Sequence, residues 1–255
     1  MITRMLDWVR HRRGVVETEL VTIEQRRDIS PIFYAQATIV LPILERYAHG
    51  KLIDLGCGTA PFWPALAPRV ELYHGMDLWP RSDKTTFAGD IQTLGMVRDA
   101  SYDTAVCIEV LEHVPDPFAA VAAIRRVLKP GGVVVISVPH LSRLHEVPHD
   151  YYRYTEYGLR ALLERAGLEV VELRVKGGLF SFLGHQLSTI LLALAWSLPP
   201  FKPGLLFVNK WLLARGCTWI DRVLDTGRTF PQGYVVAAIK PVAGADAVTQ
   251  DATRV

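Results

Sequence analysis

The sequence predicts an α/β fold, a mostly parallel sheet with helices on both faces, and three features predict it. Lys51-Leu-Ile-Asp-Leu runs as a short apolar strand straight into Gly56 and Gly58, with Pro61 where a helix would open. Apolar strand runs at 72–76, 105–108 and 168–175 alternate with helix-period segments at 117–128 and 155–166, the order that builds strand–helix–strand units. Residues 133–138, Val-Val-Val-Ile-Ser-Val, are almost continuously β-branched, as suits a central strand buried on both faces.

Residues 1–50 read as a helical extension. Ser30 is placed to cap a helix, Pro31 fits its first turn, and Ile39, Val40, Ile43, Leu44 and Tyr47 form an apolar run behind them. The basic cluster Arg10, His11, Arg12 and Arg13 reads as a solvated face or a contact to anionic lipid or phosphate. Gly56 and Gly58 allow backbone conformations, or a ligand approach, that a Cβ would obstruct. The N–H groups of a helix opening at Pro61 would favour an anion or a carboxylate. A dinucleotide fingerprint would carry a third glycine where Pro61 stands, which weighs against a nicotinamide-dependent oxidoreductase. The strand at 72–76 ends on Asp77, about twenty residues past the glycine turn, where an acid can accept from two neighbouring ribose hydroxyls.

Further on, the strand at 105–108 breaks into acids and a histidine, among them Glu109 and His113, at the carboxyl edge where open α/β sheets collect ligands. Pro117 opens the next helix, and Arg125, Arg126 and Lys129 lie near its end, where the helix dipole favours cations. Lys129-Pro-Gly-Gly132 is a turn into the strand at 133–138. Behind that strand come Pro139-His140 and the run His145-Glu-Val-Pro-His149-Asp-Tyr-Tyr-Arg-Tyr-Thr155, dense in titratable and aromatic groups. Its histidine spacing matches no strong metal motif, so no metal is expected. Thr155 caps the helix that follows, which Gly167 ends.

Residues 176–233 are far too long for a hairpin loop before a last strand at 234–240. Leu187–Leu198 is hydrophobic on nearly every side, and a second helix is expected around 205–224. Such a surface suits a lid over a lipophilic acceptor, a homodimer interface, or a peripheral membrane contact with Trp196, Lys202, Lys210 and Trp211 at the interface. Gly184, His185, Gln186 and the double proline at Pro199 argue against a spanning helix. Residues 242–255 have no periodic apolar pattern and read as a disordered tail.

Composition narrows the function classes. Half of the 255 residues are hydrophobic, enough for a substantial core, and a formal net charge of +2 gives no support to nucleic acid as a partner. Cys57, Cys107 and Cys217 form no close pair, which suits a reducing compartment. Arg4, Asp7 and Arg10 interrupt every early apolar run, so the expected location is cytoplasmic, with any membrane contact on the inner face.

Asp54-Leu-Gly-Cys-Gly-Thr-Ala-Pro61, with Ala88-Gly-Asp90-Ile91, the block at 101–114 and Leu128-Lys-Pro-Gly-Gly132, resembles class I S-adenosylmethionine-dependent methyltransferases. The run at 145–155 is similar to a segment of the ubiquinone-biosynthesis type of those enzymes, where it lies beside the acceptor pocket. The resemblance covers 51–175 and the strand near Tyr234. It implies a Rossmann-like, seven-stranded sheet whose last strand is antiparallel, so that 51–241 would be the methyltransferase domain with 176–233 inserted in it. It further implies that Gly56, Cys57 and Gly58 admit the methionine part of S-adenosylmethionine and that Asp54 stands behind them or on its amino group. Asp77 and Leu78 would hold the ribose, Asp90 and Ile91 the adenine, and Glu109 the methionine side. His113, His145 and His149 are the candidate proton acceptors for a small hydrophobic or lipid-linked acceptor. A protein of the same fold that binds cofactor without transfer, and uses the apolar insertion as an adaptor, is the competing expectation.

Overall fold

The computed structural model describes residues 20–242; the basic cluster at 10–13, the tail from 243 onward and the side chain of Trp196 lie outside them. Seven strands form one sheet: β1 Lys51–Leu55, β2 Leu72–Asp77, β3 Thr85–Ala88, β4 Tyr102–Ile108, β5 Leu128–Pro139, β6 Glu169–Lys176 and β7 Gly233–Ile239. Their order is β3-β2-β1-β4-β5-β7-β6. β7 alone runs against the direction of the other strands, lying between β5 and β6. The order reverses between β1 and β4, so their carboxyl ends open a crevice there, the place where a sheet of this type admits a ligand.

Alternation along the strands separates two cores. Ile53, Leu55, Ala105, Cys107, Val134 and Ile136 face the helices Pro117–Val127 and Glu156–Arg165, which bury Val121, Ile124, Leu159 and Leu163 against them. Leu52, Val106, Val133, Val135 and Val235 face the other way, onto Val40, Ile43, Leu44 and Leu66. The N-terminal helices thus cover the second face of the sheet. Ser30 caps Pro31–Ala35 by accepting from the Phe33 N–H, and Thr155 caps Glu156–Arg165 through the Gly158 N–H.

Two local expectations are corrected, and one strand has no sequence signal. The Lys129–Gly132 turn is absorbed into β5: Leu128 already pairs with Tyr102, and the register shifts before Thr104 meets Val133. Gly131 takes the left-handed φ of +79° that this irregularity needs. Pro61 precedes the next helix, which is only Trp63–Leu66. The seventh strand, β3, is a half-exposed edge strand of four residues with no apolar run to announce it.

The insertion folds as Leu179–Ser197 followed by a helical run through Lys202–Val208 and Cys217–Leu224. Its first helix has a tertiary cap: the Asp221 carboxylate accepts from the N–H groups of Phe180 and Ser181 at 2.9 and 2.8 Å. The insertion packs on the N-terminal extension, with Ser188 Oγ and Asn209 Nδ2 donating to the Ile29 carbonyl at 2.9 and 2.6 Å and Lys210 and Arg215 paired with Asp28. Leu187–Leu198 is not wrapped all round, because Leu187, Ile190 and Leu194 remain exposed. Among the described residues no helix is long and apolar enough to cross a membrane.

Candidate active site

The glycine turn is built from its own backbone. The N–H groups of Gly56 and Cys57 both donate to the Met76 carbonyl, at 2.8 and 3.0 Å, which ties the end of β1 to β2. Gly56 has φ +72°, and a Cβ there would stand 2.4 Å from Val110 Cγ2, so both conformation and packing require glycine. Gly58, at φ +54°, is different: a Cβ on it would meet nothing within 4 Å. Space is left there for something other than protein.

Asp77 fastens the turn from the next strand. One carboxylate oxygen accepts from the Gly58 N–H at 2.8 Å and the other from the Trp79 N–H at 2.9 Å, leaving lone pairs on both. Around this turn a cavity of about 500 Å³ opens at the switch point. Gly56, Gly58, Asp77, Leu78, Asp90, Ile91 and Glu109 line it, and so do His113 and His149. Its volume falls within the usual range for small-molecule sites. Asp90 is turned by Gln92, whose backbone N–H reaches Oδ1 at 2.8 Å.

Asp54, Cys57 and His145 are not among the lining residues. Asp54 is buried with Oδ2 accepting from the Tyr73 hydroxyl at 2.6 Å; burial pushes its carboxyl up to about 6, against the pull of that bond. The Cys57 thiol is directed to Thr85, and burial pushes it up to about 11. His145 stands behind His113, ring centroids 4.7 Å apart, with burial and the neighbouring ring lowering its affinity for a proton.

Glu109, the first residue past β4, adopts φ +54° and donates its N–H to the Ser137 carbonyl at 2.9 Å. Its Oε1 accepts from Ser137 Oγ at 2.5 Å and from Lys176 Nζ. Burial alone would raise this carboxyl, but the Lys176 ammonium and the two donors hold it below the usual carboxylate range. His113 Nδ1 lies 2.6 Å from the His149 carbonyl, which fixes that nitrogen as the donor and leaves Nε2 as the lone pair. The loop behind it is locked by Arg153, which bridges Asp150 and the Arg143 carbonyl; against the effect of burial, Arg153 and the His145 N–H hold the Asp150 carboxyl at about 2.

Sequence reasoning did not single out Glu112, Trp79, Gln92 or Tyr151. The last three line the cavity, and nothing in residue type alone separates them from other loop residues. Glu112 is fully buried with no hydrogen-bond partner on either oxygen, and burial together with Glu109 pushes its carboxyl well above the usual range. One ligand-type atom from each of Glu112, His113 and His145 lies within 4.8 Å of the others, the one such group among the described residues.

The profile of a methyltransferase domain matches residues 32–173. A ubiquinone biosynthesis O-methyltransferase of Paracidovorax citrulli is 36% identical over 141 residues, which are 50% of this chain and 56% of that protein. Its counterpart from Idiomarina loihiensis is 35% identical over 114 residues, 38% of this chain and 47% of the relative. The chain therefore spans about half the length of the curated relatives it matches. Among solved structures, the [4+2]-cyclase SpnF superposes with a TM-score of 0.55 at 19% identity, covering 82% of this chain and 81% of its own. A methyltransferase in complex with the Trm112 activator of Haloferax volcanii gives 0.55 at 18%, over 92% and 97%. At such identities the likeness concerns the fold alone.

Proposed function

The chain belongs to the methyltransferase-domain family, and from that premise we propose that it transfers the methyl group of S-adenosylmethionine to a small, hydrophobic or lipid-linked acceptor. The carrying observation is that one cavity joins the glycine turn, Asp77, Asp90 and Glu109 to His113, His149 and Tyr151. A donor half and an acceptor half meet in it. Because a cyclase shares this fold, the architecture does not by itself choose the reaction; the glycine turn and its acids favour the S-adenosylmethionine reading.

In this reading Gly58 leaves room for the methionine part, Asp77 accepts from the ribose hydroxyls, and Asp90, Leu78 and Ile91 bound the adenine. Asp54 and Cys57 act from behind the turn. The donor supplies an activated methyl on a sulfonium, so the chain's own work is to align an acceptor lone pair with it and to exclude water. The relatives' names favour a hydroxyl oxygen as acceptor. Its proton would pass to His113 or to His149, both of which line the cavity, with His145 supporting His113. Val110, Val114, Pro115 and Tyr151 give the acceptor half an apolar wall.

No described residue of 176–233 lines the cavity, which favours an outer role for the insertion over a lid. Exposed Leu187, Ile190, Leu194, Phe207 and Trp211 favour peripheral contact with a membrane that holds the acceptor, a homodimer interface being the competing use. The function is tested by incubating the protein with methyl-labelled donor and lipophilic phenols. Label in the extracted organic phase, lost in His113→Gln with cofactor binding retained, is the expected outcome. Binding of donor with no transfer to any phenol, amine or carbon acid would favour the adaptor instead.

A further inference from the structure

Glu109 is held from an unexpected distance. The sheet order β4-β5-β7-β6 puts Lys176, the last residue of β6, three strands away from the residue that follows β4. At the usual spacing between neighbouring strands that is about 14 Å of sheet to cross. Three side chains cross it in line. The Lys176 stem passes over Gly233 of β7, where a Cβ would come within 2.8 Å of Lys176 Cε. Its Nζ then donates to Ser137 Oγ of β5 at 2.6 Å and to Glu109 Oε1. Ser137 is fully buried and Lys176 is 3% exposed, so the line lies within the protein and not on its surface.

This arrangement uses only one face of the carboxylate. Oε1 takes both donors, whereas Oε2 has no hydrogen bond among the described residues and belongs to a residue that lines the cavity. A carboxylate on a left-handed residue at a strand end would otherwise choose among several rotamers. We propose that Lys176 is a positioning residue: it fixes Glu109 so that Oε2 meets the cationic amino-acid part of the bound donor. The proposal rests on the S-adenosylmethionine reading for the identity of the cation, and on geometry alone for the link between Lys176 and Glu109. Lys176 also sits directly before Gly177 and the capped helix Leu179–Ser197, so the ligand-facing acid is anchored at the root of the insertion.

The other charged groups that act on Glu109 are Glu112 on its own segment and His145 and Arg153 from the following loop, and His113 lines the same cavity. None of them is a hydrogen-bond donor to its carboxylate among the described residues. Among the described residues, removing the lysine therefore leaves Ser137 as the one direct side-chain donor to the Glu109 carboxylate.

The test uses the full chain, S-adenosylhomocysteine as a ligand that keeps the ammonium, and adenosine as one that lacks it. Lys176→Met should weaken S-adenosylhomocysteine about tenfold, the scale of a lost charge-assisted contact, and leave adenosine unchanged. Glu109→Gln should do the same, and the double variant should be no worse than Glu109→Gln alone, because the lysine acts through the acid. Carbon-13 NMR of the Glu109 carboxyl should show its titration move upward in Lys176→Met. Equal losses for both ligands, or additive losses in the double variant, would overturn the proposal. Should Lys176→Met fail to fold, Ser137→Ala, which removes the shared hydroxyl and keeps the ion pair, must show the same selectivity at a smaller amplitude; an equal effect on both ligands there overturns it too. If the wild type binds neither ligand, the donor reading falls and the Glu109 titration decides the positioning role: an unmoved titration ends it.

Discussion

Asp54 and Asp77 are both acids at the carboxyl edge of the sheet, yet the structure gives them different work. Asp77 faces the cavity and fastens the glycine turn, whereas Asp54 is sealed behind it against Tyr73. Spacing from the glycines made Asp77 legible in the sequence. The inward turn of Asp54 was not, because it depends on Tyr73, a residue brought close only by the pairing of β1 with β2. The same applies to Glu112, whose burial and orphaned oxygens come from the loop folded over it. A pH test follows for Asp54. Its carboxyl titrates near 6 when folded, against 3.8 in its ordinary state, so the folded chain holds this proton more tightly. Its contribution is most favourable where both forms are protonated, declines as pH rises from about 4 to about 6, and then levels. Asp54→Asn lacks that titration. Relative to wild type it should gain up to about 3 kcal/mol in denaturant unfolding between pH 4 and pH 7; parallel pH profiles would contradict the assignment.

Most elements were readable from periodicity and helix-start signals, as the helices opened at Ser30-Pro31, Pro117 and Thr155 illustrate. β3 was not, since an edge strand of four half-exposed residues carries neither an apolar run nor a hairpin turn. The glycine turn was legible as a turn, but the division of labour inside it was not. Gly56→Ala drives a Cβ into Val110 at an unfavourable φ and should cost about 2 kcal/mol or more in unfolding. Gly58→Ala meets no protein atom; beyond the conformational cost of about 1–2 kcal/mol it should abolish S-adenosylhomocysteine binding in a folded protein. Wild-type affinity in that variant would place the ligand elsewhere. For the insertion, Asp221→Ala removes the acceptor of two helix N–H groups and should destabilise by about 2 kcal/mol. Faster amide exchange should then appear first at Phe180 and Ser181, and unchanged exchange there would show that the cap carries no weight.

On the scale of the whole molecule, the chain joins a switch-point sheet to a helical layer that the sequence suggested only as two separate additions. Residues before β1 and residues between β6 and β7 are far apart in the chain, and Asp28, Lys210 and Arg215 bring them together on one face. The sheet and its ligand edge were legible because local strand signals and a glycine turn carry them. The layer was not, because it rests on contacts between distant segments. One consequence is that the cavity remains open to ligand while the apolar helices lie outside its wall. The measurement that bears most directly on the account is calorimetric titration of the purified protein with S-adenosylmethionine, S-adenosylhomocysteine and NAD, beside a folded Asp77→Ala. Saturable binding of the first two, no heat from NAD, and binding weakened at least about tenfold by the substitution are predicted. Binding of NAD, or equal affinity for S-adenosylhomocysteine with and without the Asp77 carboxylate, would contradict it.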